Sequence, residues 1–159
     1  MTKSLDNSER LSTSDAKVLS DVKRVGWHTL GVSPRAGEDG PHWAFSIGLF
    51  HSFNHPEVLI VGLPLNVCTE TVNVIGKQVQ AGARYEADRE YADILQDPFR
   101  CTFKASERAA YRDFVGYALW FYENDEFPLL QCFWPDKQHR LPWDAGCNEY
   151  VKTSQLYRP

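Results

Sequence analysis

The sequence predicts an α+β fold: a single domain in which a mostly antiparallel sheet is packed by two main helices. Three observations predict it. Short runs of aromatic and β-branched residues, one of them strictly alternating, recur between turn-forming segments. Two stretches carry apolar residues at steps of three and four, the spacing of one helical face. A loop rich in Gly and Pro separates the first two strand-like runs, so they are expected to be hairpin neighbours. Residues 1–17 are polar and read as a disordered lead-in, and residues 18–159 as the globular domain.

Taken in order, residues 12–21 suit the start of a short helix. Ser14 is the expected cap, ahead of Ala16, Val18, Leu19 and Val22. Residues 25–32 read as a strand, residues 33–41 as a loop of turn formers, and residues 43–50 as the partner strand. A second loop, residues 51–57, leads into residues 58–63, a run apolar on both faces and therefore central in the sheet. Pro64 ends that run. Leu65, Cys68, Val72, Ile75 and Val79 then mark the first main helix, with Gly82 placed to stop it. Residues 84–97 carry no clear period. Residues 99–105 alternate, with Phe99, Cys101, Phe103 and Ala105 on one face and Arg100, Thr102 and Lys104 on the other. Ser106 is the expected cap of the second main helix, running to about Tyr122 with Tyr111, Val115, Ala118 and Tyr122 as its stripe. Residues 129–134 read as the last strand, and the tail after Trp143 as irregular.

Composition narrows the function. The 17 basic residues are scattered among 21 acidic ones, for a net charge of −4, which disfavours nucleic acid. No apolar run approaches the ~18–20 residues of a membrane span, and the polar start does not resemble a secretory signal. Cys68, Cys101, Cys132 and Cys147 lie 33, 31 and 15 residues apart, which matches no paired-cysteine metal or redox spacing. They read as reduced thiols acting as small apolar residues, and the protein as cytoplasmic. Gly37-Glu-Asp-Gly40 puts acids where a phosphate needs N–H groups and positive charge, and no other cofactor motif is present, so no cofactor is expected.

Three segments together carry a resemblance: Trp43-Ala-Phe-Ser-Ile-Gly-Leu49, His55-Pro-Glu-Val-Leu-Ile-Val-Gly-Leu63, and Gln131-Cys-Phe-Trp-Pro-Asp136 through Leu141-Pro-Trp-Asp144. In this order they resemble family 4262 of the bacterial domains of unknown function. Members typically read aromatic-Ala-Tyr-Thr-x-Gly-Leu, His-Pro-Glu-Leu, Gln-x-x-Trp-Pro-Asp and Phe-Pro-Trp. This chain departs at Phe45 and Ser46, at Leu141, and at residues 137–139, where a tight Gly turn is common. The resemblance implies a small soluble bacterial protein and no particular activity.

Candidate chemistry falls in three places. His51, His55 and Glu57 offer two imidazoles and a carboxylate, a weak metal-ligand set. Against it, Pro56 shapes the chain and His55 is expected to bond the loop backbone. Asp136 and Asp144, at the two ends of a hairpin, suit a general acid and base, or two turn-forming carboxylates. His139 sits between them at the expected solvated tip. Ser46 lacks the flanking glycines of a nucleophile elbow.

Two functions follow. The first is a protein-binding domain, in one version an immunity protein neutralising a basic toxin. Trp134, Asp136 and Trp143 would form an aromatic rim, and Glu123, Asp125 and Glu126 an acidic surface that speeds encounter. The alternative is a small hydrolase or metabolite-modifying enzyme using His51, His55 and Glu57 with Asp136 and Asp144. It requires the His55 loop and the Trp134-to-Trp143 hairpin to meet at a common point.

Overall fold

The computed structural model describes residue 2 and residues 12–157. Six strands form one sheet: β1 (His28–Val32), β2 (Trp43–Ile47), β3 (Glu57–Val61), β4 (Glu90–Tyr91), β5 (Cys101–Ala105) and β6 (Leu129–Phe133). Their spatial order is β1-β2-β3-β6-β5-β4. Every neighbouring pair is antiparallel except β3 and β6, which run parallel from Glu57 beside Leu129 to Ile60 beside Cys132. The sheet is thus mostly antiparallel, with one parallel pair at its centre. β3, the run apolar on both faces, lies in the middle as expected.

Each face of the sheet buries its own helical layer. Helix α3 (Leu65–Gln80) lays Cys68, Val72, Ile75 and Val79 onto Ala44, Val58, Ile60, Phe103, Leu130 and Cys132. Burial of such a stripe contributes roughly 1.5–3 kcal/mol per large side chain. Trp27 slides beneath α3 at Gly76, where an added Cβ would fall 2.4 Å from the indole. The opposite face carries Phe45, Ile47, Leu59, Val61 and Leu129. Against them pack Val18, Leu19 and Val22 of α1 (Thr13–Val25) and the segment around Tyr111, Val115, Ala118, Phe121 and Tyr122.

Four expectations about elements need correction. Helix α1 starts at Thr13 with Ser12, not Ser14, as the cap, so the end of the 1–17 lead-in is helical. Residues 1 and 3–11 of that lead-in lie outside the described residues. The second strand stops at Ile47, not residue 50. Gly48, at φ 113°, turns the chain into the short helix α2 (Leu49–Phe53), so the expected loop over residues 51–57 begins inside a helical turn. The helix expected from Ser106 to Tyr122 is broken into a 3-10 turn (Arg108–Ala110), α4 (Tyr111–Phe114) and α5 (Gly116–Tyr122). The break falls at Val115-Gly116, a β-branched residue followed by glycine, both poor helix formers. The stripe still points inward: Tyr111, Val115, Ala118 and Tyr122 are all buried. Finally, the tail read as irregular holds α6 (Glu149–Ser154), capped by the Asn148 side chain.

Candidate functional site

At the start of β3, Glu57 is fully buried, and its carboxylate is ringed by donors. Ser46 Oγ donates to Oε1 at 2.7 Å, the Leu49 N–H to Oε1 at 3.1 Å, and the N–H groups of Gly48 and Phe50 to Oε2 at 2.8 and 3.4 Å. The Tyr122 hydroxyl also donates to Oε2, and itself accepts the His51 N–H at 3.1 Å. Glu57 therefore satisfies the open N–H groups at the start of α2, a task usually left to a local cap. Burial pushes its carboxyl above the usual range, and the donors from Tyr122, Ser46, Gly48 and Leu49 pull it part of the way back. Burial also raises Tyr122, which stays a donor, with the Glu57 charge adding to the effect. Ser46 is saturated as well, because its Oγ accepts the Val58 N–H at 3.0 Å.

His55 is fully buried beside this cluster and both ring nitrogens are engaged. Nε2 accepts the Tyr85 N–H at 3.0 Å, which leaves Nδ1 as the donor to the Pro56 carbonyl at 2.7 Å. Burial lowers its pKa; the Pro56 carbonyl opposes this and the Arg84 charge adds to it. A neutral ring with one proton and two backbone partners joins the loop after Phe53 to the segment after α3. His51 is exposed on α2, its ring edge-on to Phe121. Among the described residues no group of three or more His, Cys, Asp or Glu is arranged to hold a metal ion, so His51, His55 and Glu57 do not form the ligand set.

Asp136 organises the other end of the sheet. Its carboxylate accepts the N–H groups of Gln138 and Arg140 at 2.9 Å each and of Asn148 at 3.0 Å. Burial opposes ionisation, but the donors from Arg140, Asn148 and Gln138 outweigh it and hold the carboxyl below the usual range. Asp144 is exposed and closes the next turn, accepting the Leu141 N–H at 2.8 Å. Trp134 is buried, its indole donating to the Val61 carbonyl at 2.8 Å. The exposed patch expected of Trp134 and Trp143 is therefore corrected to one half-buried ring, Trp143, packed on Phe133 and Tyr157. Gln155, fully buried, accepts the Trp134 N–H at 2.9 Å and donates to the Trp134 carbonyl at 2.7 Å, acting as a pseudo-strand at the end of β6.

The two carboxylate centres do not meet. Glu57 opens β3 beside Leu129, whereas Asp136 follows the far end of β6, and the four residue steps of strand from Glu57 to Val61 alone span about 13 Å. The common cleft required of His51, His55, Glu57, Asp136 and Asp144 is not assembled. The same distance divides the expected binding surface. Glu123, Asp125 and Glu126 sit in the loop before β6, and Trp143 lies beyond its other end. That loop borders an open groove of about 870 Å³ that Leu119, Trp120, Arg108 and Arg112 also line. Arg108 Nε donates to the Asp125 carbonyl at 3.0 Å, fixing the loop. The Asp125 and Glu126 carboxylates and the Arg112 guanidinium make no ion pair among the described residues.

Sequence reasoning missed Tyr122 as the partner of Glu57, Gln155 as the partner of Trp134, and the basic residues lining this groove. Tyr122 lay on the predicted stripe, so its burial was visible and its hydrogen bond was not. All four cysteines are buried free thiols. No helix among the described residues is long and apolar enough to cross a membrane. A family model described as "Domain of unknown function (DUF4262)" matches residues 21–148. Searches of curated proteins and of solved structures return no match.

Proposed function

The chain belongs to the DUF4262 family, and for this member we propose a binding function carried by the groove beside residues 123–126. The partner is a protein presenting a basic segment, and the bacterial cytoplasm is the setting in which four free thiols stay reduced. An immunity protein that blocks a basic toxin is the concrete version.

One observation carries this reading. The buried polar groups able to do chemistry, Ser46, His55, Glu57 and Asp136, are consumed by backbone and side-chain partners of their own fold. Carboxylates with no ion pair among the described residues, those of Asp125 and Glu126, stand instead at an open groove beside Trp120. An indole supplies area and the acids supply attraction, the mixture that anchors a protein interface. Such acids act mainly on encounter rate, so binding should weaken as salt is raised.

The test is stoichiometric co-purification of one partner from native lysate, repeated with Asp125→Lys/Glu126→Lys. The expected outcome is a single basic partner held by the wild type, released by the charge reversal, with an association rate that falls as ionic strength rises. A wild-type protein that stays partnerless in its own lysate, or a partner that ignores the charge reversal, overturns the reading.

A further inference from the structure

A second cleft, unconnected with the acidic groove, lies at the β4–β5 end of the sheet. It holds about 280 Å³ and is lined by Glu90, Pro98, Arg100, Pro135, His139 and Leu141. That is the size of a small metabolite, at the low end of ligand sites. The side chains of Glu90, Arg100 and His139 make no hydrogen bond or ion pair among the described residues. For Glu90 and Arg100 this is unexpected. Glu90 pairs directly with Thr102, so Arg100, two residues away on the same face, sits on the diagonal. Diagonal positions are about 7–8 Å apart at the backbone, well within reach of two long side chains of opposite charge. They face one cleft without closing on each other.

Thr102 is the cross-strand partner of Glu90 on that face, behind the lining of the cleft and not part of it. Its hydroxyl is the one buried side-chain oxygen or nitrogen among the described residues with no hydrogen-bond partner, in a residue only 6% exposed. Such an orphan costs about 1–3 kcal/mol and calls for an explanation. Trp143 contacts Phe133, the other cross-strand neighbour of Thr102, and takes the Lys104 ammonium at 4.6 Å from its ring centre.

The third wall is built with strain. His139 has φ 65°, a left-handed conformation uncommon for a residue with a side chain. The Asp136 carboxylate holds it there by binding the N–H groups on either side, of Gln138 and Arg140, and the ring stacks on Phe99 at 4.9 Å. The Trp-Pro-Asp corner thus presents one imidazole rigidly to the cleft, as a preorganised site requires.

We propose that the cleft between Glu90, Arg100 and His139 binds a small zwitterion, a free amino acid. Arg100 and the imidazole take its carboxylate, and Glu90 takes its ammonium. Two opposed charges lining one small cleft without pairing select a molecule that carries both.

The test titrates the full chain with L-alanine while amide chemical shifts of Glu90, Arg100 and His139 are followed. Propionate and ethylammonium, each keeping one of alanine's two charges, serve as controls. Saturable shifts confined to these residues are expected, with each control at least about tenfold weaker. Arg100→Gln, an exposed substitution, should weaken alanine about tenfold. Glu90→Gln, equally exposed, should weaken alanine about tenfold as well. Absence of saturation, equal binding of either control, or undiminished affinity in either variant overturns the proposal.

Discussion

Glu57 shows how a residue with the look of a catalyst becomes a bolt. Its two oxygens receive three backbone N–H groups and two hydroxyls. An amide in its place has one accepting oxygen, and its NH2 must face donors. Glu57→Gln should therefore cost about 3 kcal/mol, roughly 6–12 °C in melting temperature for a chain of this size. Thermal unfolding of the variant checks this, and an unchanged melting temperature returns Glu57 to the list of candidate catalysts. His55 makes a matching prediction in pH. Its folded pKa lies below the usual 6.5 because burial disfavours the charged ring. Below that value the unfolded chain takes up a proton that the folded one resists. Stability from this group is complete above the usual value and is lost as pH falls through the folded pKa. Chemical denaturation at stepped pH should show that decline, and the ring should keep its Nδ1–H tautomer by nitrogen NMR at neutral pH.

Elements set by local pattern were legible in the sequence, and those set by distant partners were not. The strict alternation of residues 99–105 gave β5 and its buried face, and the three-and-four stripe gave α3 to within a residue of its observed start. Helix α2 was hidden because its N–H groups are satisfied by Glu57, eight residues after Leu49 at the start of the central strand β3. The break at Val115 was partly visible in the Val-Gly pair, but the continuous stripe through it argued for one helix. Candidate residues were found on the strength of their type; that His55 and Asp136 were saturated was invisible, because their partners come from other turns. Two helical glycines give opposite predictions at this scale. At Gly76 an alanine Cβ would strike the Trp27 ring at 2.4 Å. Overpacking of this kind typically costs 1–3 kcal/mol, more than the roughly 1 kcal/mol alanine gains over glycine inside a helix. At Gly116, the first residue of α5, nothing lies within 4 Å and φ is not positive, so Gly116→Ala should stabilise by about 0.4–1 kcal/mol. Paired denaturant titrations with opposite signs are the expected result; a stabilising Gly76→Ala would mean that Trp27 is not seated where described.

At the scale of the whole molecule, the central parallel pair separates two differently built ends. One end is locked by Glu57 and Tyr122 between the sheet and α5. The other is closed by the turn around Asp136 and by the C-terminal segment, whose Gln155 and Ser154 reach Trp134 and Gly62. The family match ends at residue 148, yet the side chain that completes the pairing of β6 belongs to residue 155. The segment after 148 is thus part of the fold's closure in this chain and not an appendage. Gln155→Ala would strand the Trp134 N–H and carbonyl in a dry environment with no strand beside them. The loss should be about 2–4 kcal/mol, in the range for two unsatisfied buried groups. Denaturant unfolding should show a lowered midpoint with an unchanged slope, since the surface exposed on unfolding stays the same. Amide exchange at Trp134 should accelerate by more than the global loss of stability, because the opening is local. If exchange there tracks only the global change, Gln155 is a passenger, and the end of the sheet is held by the indole of Trp134 on Val61 alone.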